Sequence, residues 1–205
     1  MTVQHLISLR KLPSQTRSEA LVDAIIEAAV RILLRDGYPK LTTKTVAEVA
    51  GVSVGSLYQY FPNKQAILAE IIRRRTGEIV TALLRACEGA ETVEAFSQVL
   101  VMTFLSEKHK KAALSAALRE PMAEIDGRAI MEEGLHDLVR RLSDVLPRVL
   151  TRPLTPEEAN RLALAVVAIE GAVSALIKND PDALNQPATR ETLTVMFYSG
   201  LGLDS

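Results

Sequence analysis

Apolar residues return along this chain at the spacing of a helix face, and no segment alternates apolar with polar residues over five positions between turn signals. That pattern admits one fold class, all-α. The side chains available to fill such a fold agree with it. There are four Tyr, four Phe and no Trp, so the cores must be built from Ala, Leu, Val and Ile, which suit helices better than sheets. With 48% apolar residues in 205, the chain can bury a sizeable core and is not disordered, and its length suits one or two domains.

Caps and breakers divide the pattern. Residues 1–15, MTVQHLISLRKLPSQ, lack a cap and read as a flexible arm. Thr16 and Glu19 have capping-box spacing, and Leu21, Ile25, Ala28, Ala29 and Ile32 form one face of a helix that ends at Gly37. Thr42 or Thr43 caps a short helix through Ala50, closed by Gly51, and Ser53 caps another through Tyr60. After Pro62-Asn63 a long helix runs from Lys64 toward Cys87. Further helices are expected at 91–107, 109–119, 122–149 with a break near Asp126-Gly127, 155–179 and 187–202. The start near 155 is the sharpest, because Thr155, Pro156 and Glu158 combine a cap, a proline in the first turn and a capping box. The expected organisation is an arm at 1–15, a three-helix domain at 16–63 and a helical bundle at 64–205, entered by the long helix.

The formal net charge of −1 conceals a split. Residues 1–75 carry 11 Lys/Arg against 6 Asp/Glu, a net of +5, and the remainder carries a net of −6. Such asymmetry points to a nucleic-acid-facing part joined to something else. The single cysteine, Cys87, excludes internal disulfides and multi-thiolate metal sites, and reads as a small buried hydrophobe. His5, His109 and His136 are too far apart in sequence for a helical metal pair, so no metal is expected. No nucleophile elbow, phosphate loop or dinucleotide glycine fingerprint occurs; no enzyme activity and no cofactor are expected. The N-terminus has no apolar signal core. The longest apolar run, Leu162 to Ile177 with Glu170 inside it, is shorter than the roughly 20 residues that span a bilayer. It reads as a buried helix, and the expected setting is cytoplasmic, with no membrane partner.

The stretch TTKTVAEVAGVSVGSLYQYFPNK, residues 42–64, carries the chemistry. Two short helices meet at Gly51, which supplies a tight turn, and Ala47 lets them approach closely. Val46, Val49, Val52, Leu57 and Phe61 point inward. The outward face of the second helix then carries Val54, Gly55, Ser56, Tyr58, Gln59 and Tyr60, the pattern of a helix-turn-helix whose second helix enters the DNA major groove. Core packing explains Leu57 and Phe61 but not Tyr58 and Tyr60. The run Arg73-Arg74-Arg75 reads as a solvated helix face.

On these residues the sequence resembles the TetR family of transcriptional repressors. Residues 17–72 are similar to its DNA-binding domain, and AGVSVGSLYQYFPNKQAIL is close to its most characteristic run. The resemblance implies a homodimeric repressor that binds a palindromic operator in double-stranded DNA and responds to a small molecule. It implies a phosphate contact from Thr43 and a base-edge or phosphate contact from Lys44. Gly55 and Ser56 would allow close approach to the groove floor, Val54 would meet a thymine methyl, and Gln59 would make a bidentate contact to adenine or a looser one to another base. Tyr58, Tyr60 and Lys64 would reach phosphates, with Arg10, Lys11 and Arg17 of the arm adding others.

For the bundle the expectations are coarser. Met102, Phe104, Met122, Met131 and Glu170 are candidates to line an effector cavity, which would suit a largely hydrophobic ligand; plain core packing is the alternative for the four apolar residues, and a partner in a subunit interface for Glu170. Helix 155–179 offers Leu162, Val166, Ile169, Val173, Leu176 and Ile177, and helix 187–202 offers Leu193, Met196, Phe197 and Leu201. Two such helices from each subunit can form a C2 four-helix bundle; packing within one subunit is the alternative. A ligand-independent DNA-binding activator or architectural protein also fits the sequence, and a helical enzyme on an apolar substrate fits it less well.

Overall fold

The computed structural model describes residues 16–203 and contains no strand among them. Nine α-helices follow one another among the described residues: α1 (Thr16–Asp36), α2 (Thr43–Ala50), α3 (Val54–Tyr60), α4 (Lys64–Cys87), α5 (Val93–Lys110), α6 (Ala112–Met122), α7 (Gly127–Leu150), α8 (Pro156–Asn179) and α9 (Pro187–Leu201). Single 3-10 turns at Tyr38–Lys40 and Pro181–Asn185 precede α2 and α9. The sequence-based helices are all present, with ends moved by a few residues, and the break expected near Asp126-Gly127 is where α7 begins. The arm with Arg10 and Lys11, and the side chains of Thr16 and Arg17, lie outside the described residues, so the Thr16 cap and the arm contacts do too.

The chain divides into two compact units, and the division differs from the expected boundary at residue 64. The first unit holds residues 16–76 and 111–131, the second 77–110 and 132–203. Its physical reason is core size. Helices α1 to α3 bury too little apolar surface alone, so α6, the first half of α4 and residues 127–131 at the start of α7 complete the first core. There Ile25, Ala29 and Ile32 of α1 meet Val46 of α2, Leu57 of α3, Ile67 of α4 and Leu118 of α6, all buried. Arg74 ties α4 to α1, holding Asp23 at 2.6 Å and Glu70 at 3.0 Å. Arg75 donates to Ser115 Oγ of α6. The arginine run is therefore not the solvated face expected of it: two of its three members staple helices together.

The second unit packs α8 and α9 onto α5 and α7 around Phe96, Leu100, Leu142, Leu146, Leu162, Val173 and Phe197. Cys87 is buried here, and burial pushes its thiol up to about 12. Lys108 is buried too, beneath the Phe104 ring at 5.0 Å and 3.5 Å from Glu170, which also accepts from Ser174 Oγ at 2.6 Å. The α8 start follows the sequence reading: Thr155 Oγ1 accepts from the Glu158 amide, and Glu158 accepts from the Thr155 amide at 2.8 Å.

Arg152 grips the same Glu158 carboxylate through both Nη atoms, and with the Thr155 amide it holds the carboxyl down to about 2, against an ordinary 4.5. A depressed carboxyl stabilises the fold above its unfolded value and loses that contribution as pH falls toward the folded one. Thermal melts between pH 5 and about pH 2 are expected to lose stability progressively. In Glu158→Gln that loss should be smaller over the same window, and an unchanged slope would remove the capping box from the account.

Candidate nucleic-acid interface

The interface is built from caps outward. Thr42 closes a capping box with Thr45: its Oγ1 accepts from the Thr45 amide at 3.1 Å and its own amide donates to Thr45 Oγ1 at 3.0 Å. Thr43 is thereby the first helical residue. Gly51 ends α2 with φ +69°, and its amide donates back to the carbonyls of Ala47 and Glu48. Ser53 Oγ then accepts from the Ser56 amide at 2.9 Å and starts α3. Two apolar anchors fix α3 from beneath, Leu57 and the following Phe61, both fully buried.

With those anchored, α3 turns Val54, Gly55, Tyr58 and Gln59 outward, positions that lie along one side of two helical turns. Lys44 is exposed on α2, and Thr43 and Ser56 are partly exposed. Thr43 Oγ1 and Tyr58 Oη lie 3.1 Å apart, so two residues fifteen apart in sequence form one hydroxyl pair across the turn. The two tyrosines do not behave alike. Tyr58 is 40% exposed, whereas Tyr60 is 8% exposed and belongs to the core, because position 60 falls on the flank of α3 nearest Leu57 and Phe61. The expectation that both rings stand outside the core is corrected for Tyr60.

Lys64 is also more constrained than a surface lysine. Its Nζ lies over the Tyr38 ring, 4.1 Å from the centroid, at the first turn of α4. The Tyr38 hydroxyl in turn donates to Glu124. Burial first, and then this bond, raise the Tyr38 phenol above its ordinary value, with Lys64 pulling the other way. Sequence reasoning missed Tyr38 and Glu124. The only local signal was an aromatic after Gly37, and the partner 86 residues away is set by the packing of α6 and its following turn on the first unit.

The effector-cavity residues do not form one set. Met122 and Met131 pack against the first core, whereas Met102, Phe104 and Glu170 belong to the second unit. Phe104 is buried and Glu170 is engaged by Lys108, leaving Met102 exposed. The proposed pairing stripe is corrected as well. Leu162, Val166, Ile169, Val173, Leu193 and Phe197 are buried inside the subunit, Leu176 is partly buried, and only Met196 is exposed. The free apolar face lies on the opposite sides of the same helices: Leu164, 70% exposed, and Val167, 52% exposed, on α8, with Val195 and Met196 on α9. Helix α8 is apolar all round, with a mean hydropathy of 1.7 over its most apolar window, of which only 28% is buried. Periodicity cannot orient such a helix, and by length and composition it also passes for a membrane span.

A two-turn helix held by its caps and by Leu57 and Phe61, with a polar and small-residue face outward, defines a helix-turn-helix DNA-binding protein joined to a second helical unit. Residues 25–71 match the family model described as bacterial regulatory proteins, tetR family. The fatty acid metabolism regulator protein of Bacillus subtilis (strain 168) is 25% identical over 167 residues, covering 76% of this chain and 83% of that one. The transcriptional regulator BetI of Agrobacterium fabrum is 29% identical over 150 residues, covering 71% of each. A solved TetR-family regulator from Streptomyces coelicolor shares the fold with a TM-score of 0.65, at 23% identity over 92% of this chain and all of that one. FadR from Bacillus subtilis, solved with stearoyl-CoA, does so at 0.63, with 20% identity over 87% of this chain and 98% of that one. The match places a TetR-family DNA-binding region at residues 25–71, and the fold is that of the solved TetR-family regulators.

The turn can be tested apart from DNA. A Cβ at Gly51 would meet nothing within 4 Å, so Gly51→Ala isolates the left-handed backbone. It is expected to cost about 1 kcal/mol in chemical denaturation. A neutral effect would mean the turn tolerates another conformation.

Proposed function

We propose that this chain is a cytoplasmic homodimeric repressor that binds a palindromic operator and is released from it by a small, largely hydrophobic ligand. The observation that carries the reading is the outward face of α3. Val54 and Gly55 keep the helix slim where it would meet the groove floor, Gln59 offers an amide for a bidentate contact to adenine, and Ser56 a hydroxyl beside it. The Thr43–Tyr58 hydroxyl pair, with the α2 N-terminal amides, suits a phosphate oxygen. Lys44 and Lys64 flank this face, and their contacts are to the backbone. One such unit reads few base pairs, so specificity calls for two copies.

The exposed Leu164, Val167, Val195 and Met196 support the second copy. Exposed large apolar side chains on two helices packed together mark an interaction surface, and an isologous four-helix contact covers them in both subunits at once. The ligand response draws on the relatives, one a regulator of fatty acid metabolism and one solved with stearoyl-CoA. Coupling falls to α4, a single helix separated from the end of α3 by three residues and ending in the second core. A ligand that binds better to a shifted α4 would change the half-site spacing, about 34 Å for adjacent turns, and the affinity ratio sets how far the equilibrium moves.

Gln59→Ala is expected to weaken operator binding about tenfold while leaving random duplex nearly untouched. Lys64→Ala should weaken both alike and reduce the salt slope by about one. Equal losses on operator and random DNA for Gln59→Ala would remove direct base readout by α3. For assembly, Val167→Glu should leave a folded monomer by light scattering at low micromolar concentration. Val173→Glu should instead unfold the second unit, because it buries a charge. A dimeric Val167→Glu protein would show that pairing uses another face.

A further inference from the structure

In the second unit, the end of α5, the 3-10 turn Pro181–Asn185 and the first turn of α9 enclose a groove of about 290 Å³. Its floor is apolar, formed by Met102, Leu105 and Leu184, of which the latter two are buried. Every ionisable side chain that lines it is a base: His109, Lys110 and Arg190. Residues 76–205 carry a net charge of −6, so a groove lined by bases and by no carboxylate stands against its surroundings.

Arg190 is the fixed element. Its Nε donates to the Leu184 carbonyl at 3.1 Å, which sets the plane of the guanidinium, and its two Nη groups have no other partner among the described residues. A half-buried guanidinium with an open fork is a carboxylate receptor, because two parallel N–H bonds match two carboxylate oxygens. Lys110 is held at 2.7 Å by Glu107, which occupies one of its three hydrogens and leaves others for a ligand. His109 lines the same groove. An apolar floor beside an open fork suits a molecule with one apolar end and one anionic end. The volume is at the small end of ligand pockets, roughly 300–1,000 Å³, which limits the apolar end to a short or medium chain.

We propose that this groove binds a small amphiphilic carboxylate, with its headgroup on Arg190 and its tail over Met102, Leu105 and Leu184. The site gives the ligand-responsive reading a ligand class, and rests on that reading for its effect on DNA but not for binding itself. It also explains why Met102, a large apolar side chain, is exposed beside three bases.

The test is calorimetric titration of the full chain with octanoate, octan-1-ol and octylammonium. Octanoate should bind once per chain, and the alcohol and the cation at least tenfold more weakly. Arg190→Gln and Met102→Asp should each weaken octanoate at least tenfold while far-UV circular dichroism stays that of the parent. Met102 is exposed, so its variant keeps the test open if Arg190→Gln unfolds. Absence of saturable octanoate binding at millimolar concentration, equal binding of octylammonium, or full affinity in a folded variant would overturn the site. Operator release is read on the same samples. Octanoate binding with operator affinity unchanged supports the groove and counts against ligand response, whereas operator release by other apolar compounds without octanoate binding overturns the groove alone.

Discussion

A seven-residue helix does not hold itself together in water, and α3 is a helix of seven residues. Everything this protein presents to DNA therefore depends on the two side chains that pin α3 from below, Leu57 and Phe61, sunk among Ile25, Ala29 and Ile32 of α1 and Ile67 of α4. Caps supply the rest. Thr42 with Thr45, Gly51 and Ser53 satisfy the backbone groups that two short helices in succession would leave open, and they fix the angle between them. The outward residues are not needed to anchor α3 in the core, which leaves Val54, Gly55, Tyr58 and Gln59 available for recognition.

The first unit was readable because its signals are local and unambiguous. A cap residue, a left-handed glycine and an i, i+4 pair of large apolar residues each allow one interpretation, and together they agree. The same logic reached the Thr155–Glu158 box, though not the grip of Arg152 that completes it. Tyr60 was misplaced because in a two-turn helix one residue of phase decides between core and surface. Tyr38 and Glu124 were invisible for another reason: their bond joins residues 86 apart, and no spacing rule reaches that far.

The second unit was legible in its helices and not in their orientation. Helix α8 has apolar residues on every side, so Leu162, Val166, Ile169 and Val173 looked as suitable for a partner as Leu164 and Val167 do. Folding settles the matter with Lys108. Its buried ammonium needs a carboxylate, Glu170 provides it, and the pair turns the Glu170 flank of α8 toward α5. The methionines were equally open in sequence: they mark deformable apolar packing wherever it occurs, and two of the three pack against the first core.

The central claim is that the outward face of α3, doubled by pairing, reads an inverted repeat. Selection of binding sites from random-sequence duplex by the full-length protein tests it most directly. The account predicts an enriched inverted repeat whose half-sites are about one helical turn apart, or a multiple of it, centre to centre. A pool with no consensus, or with a single asymmetric site, would contradict it.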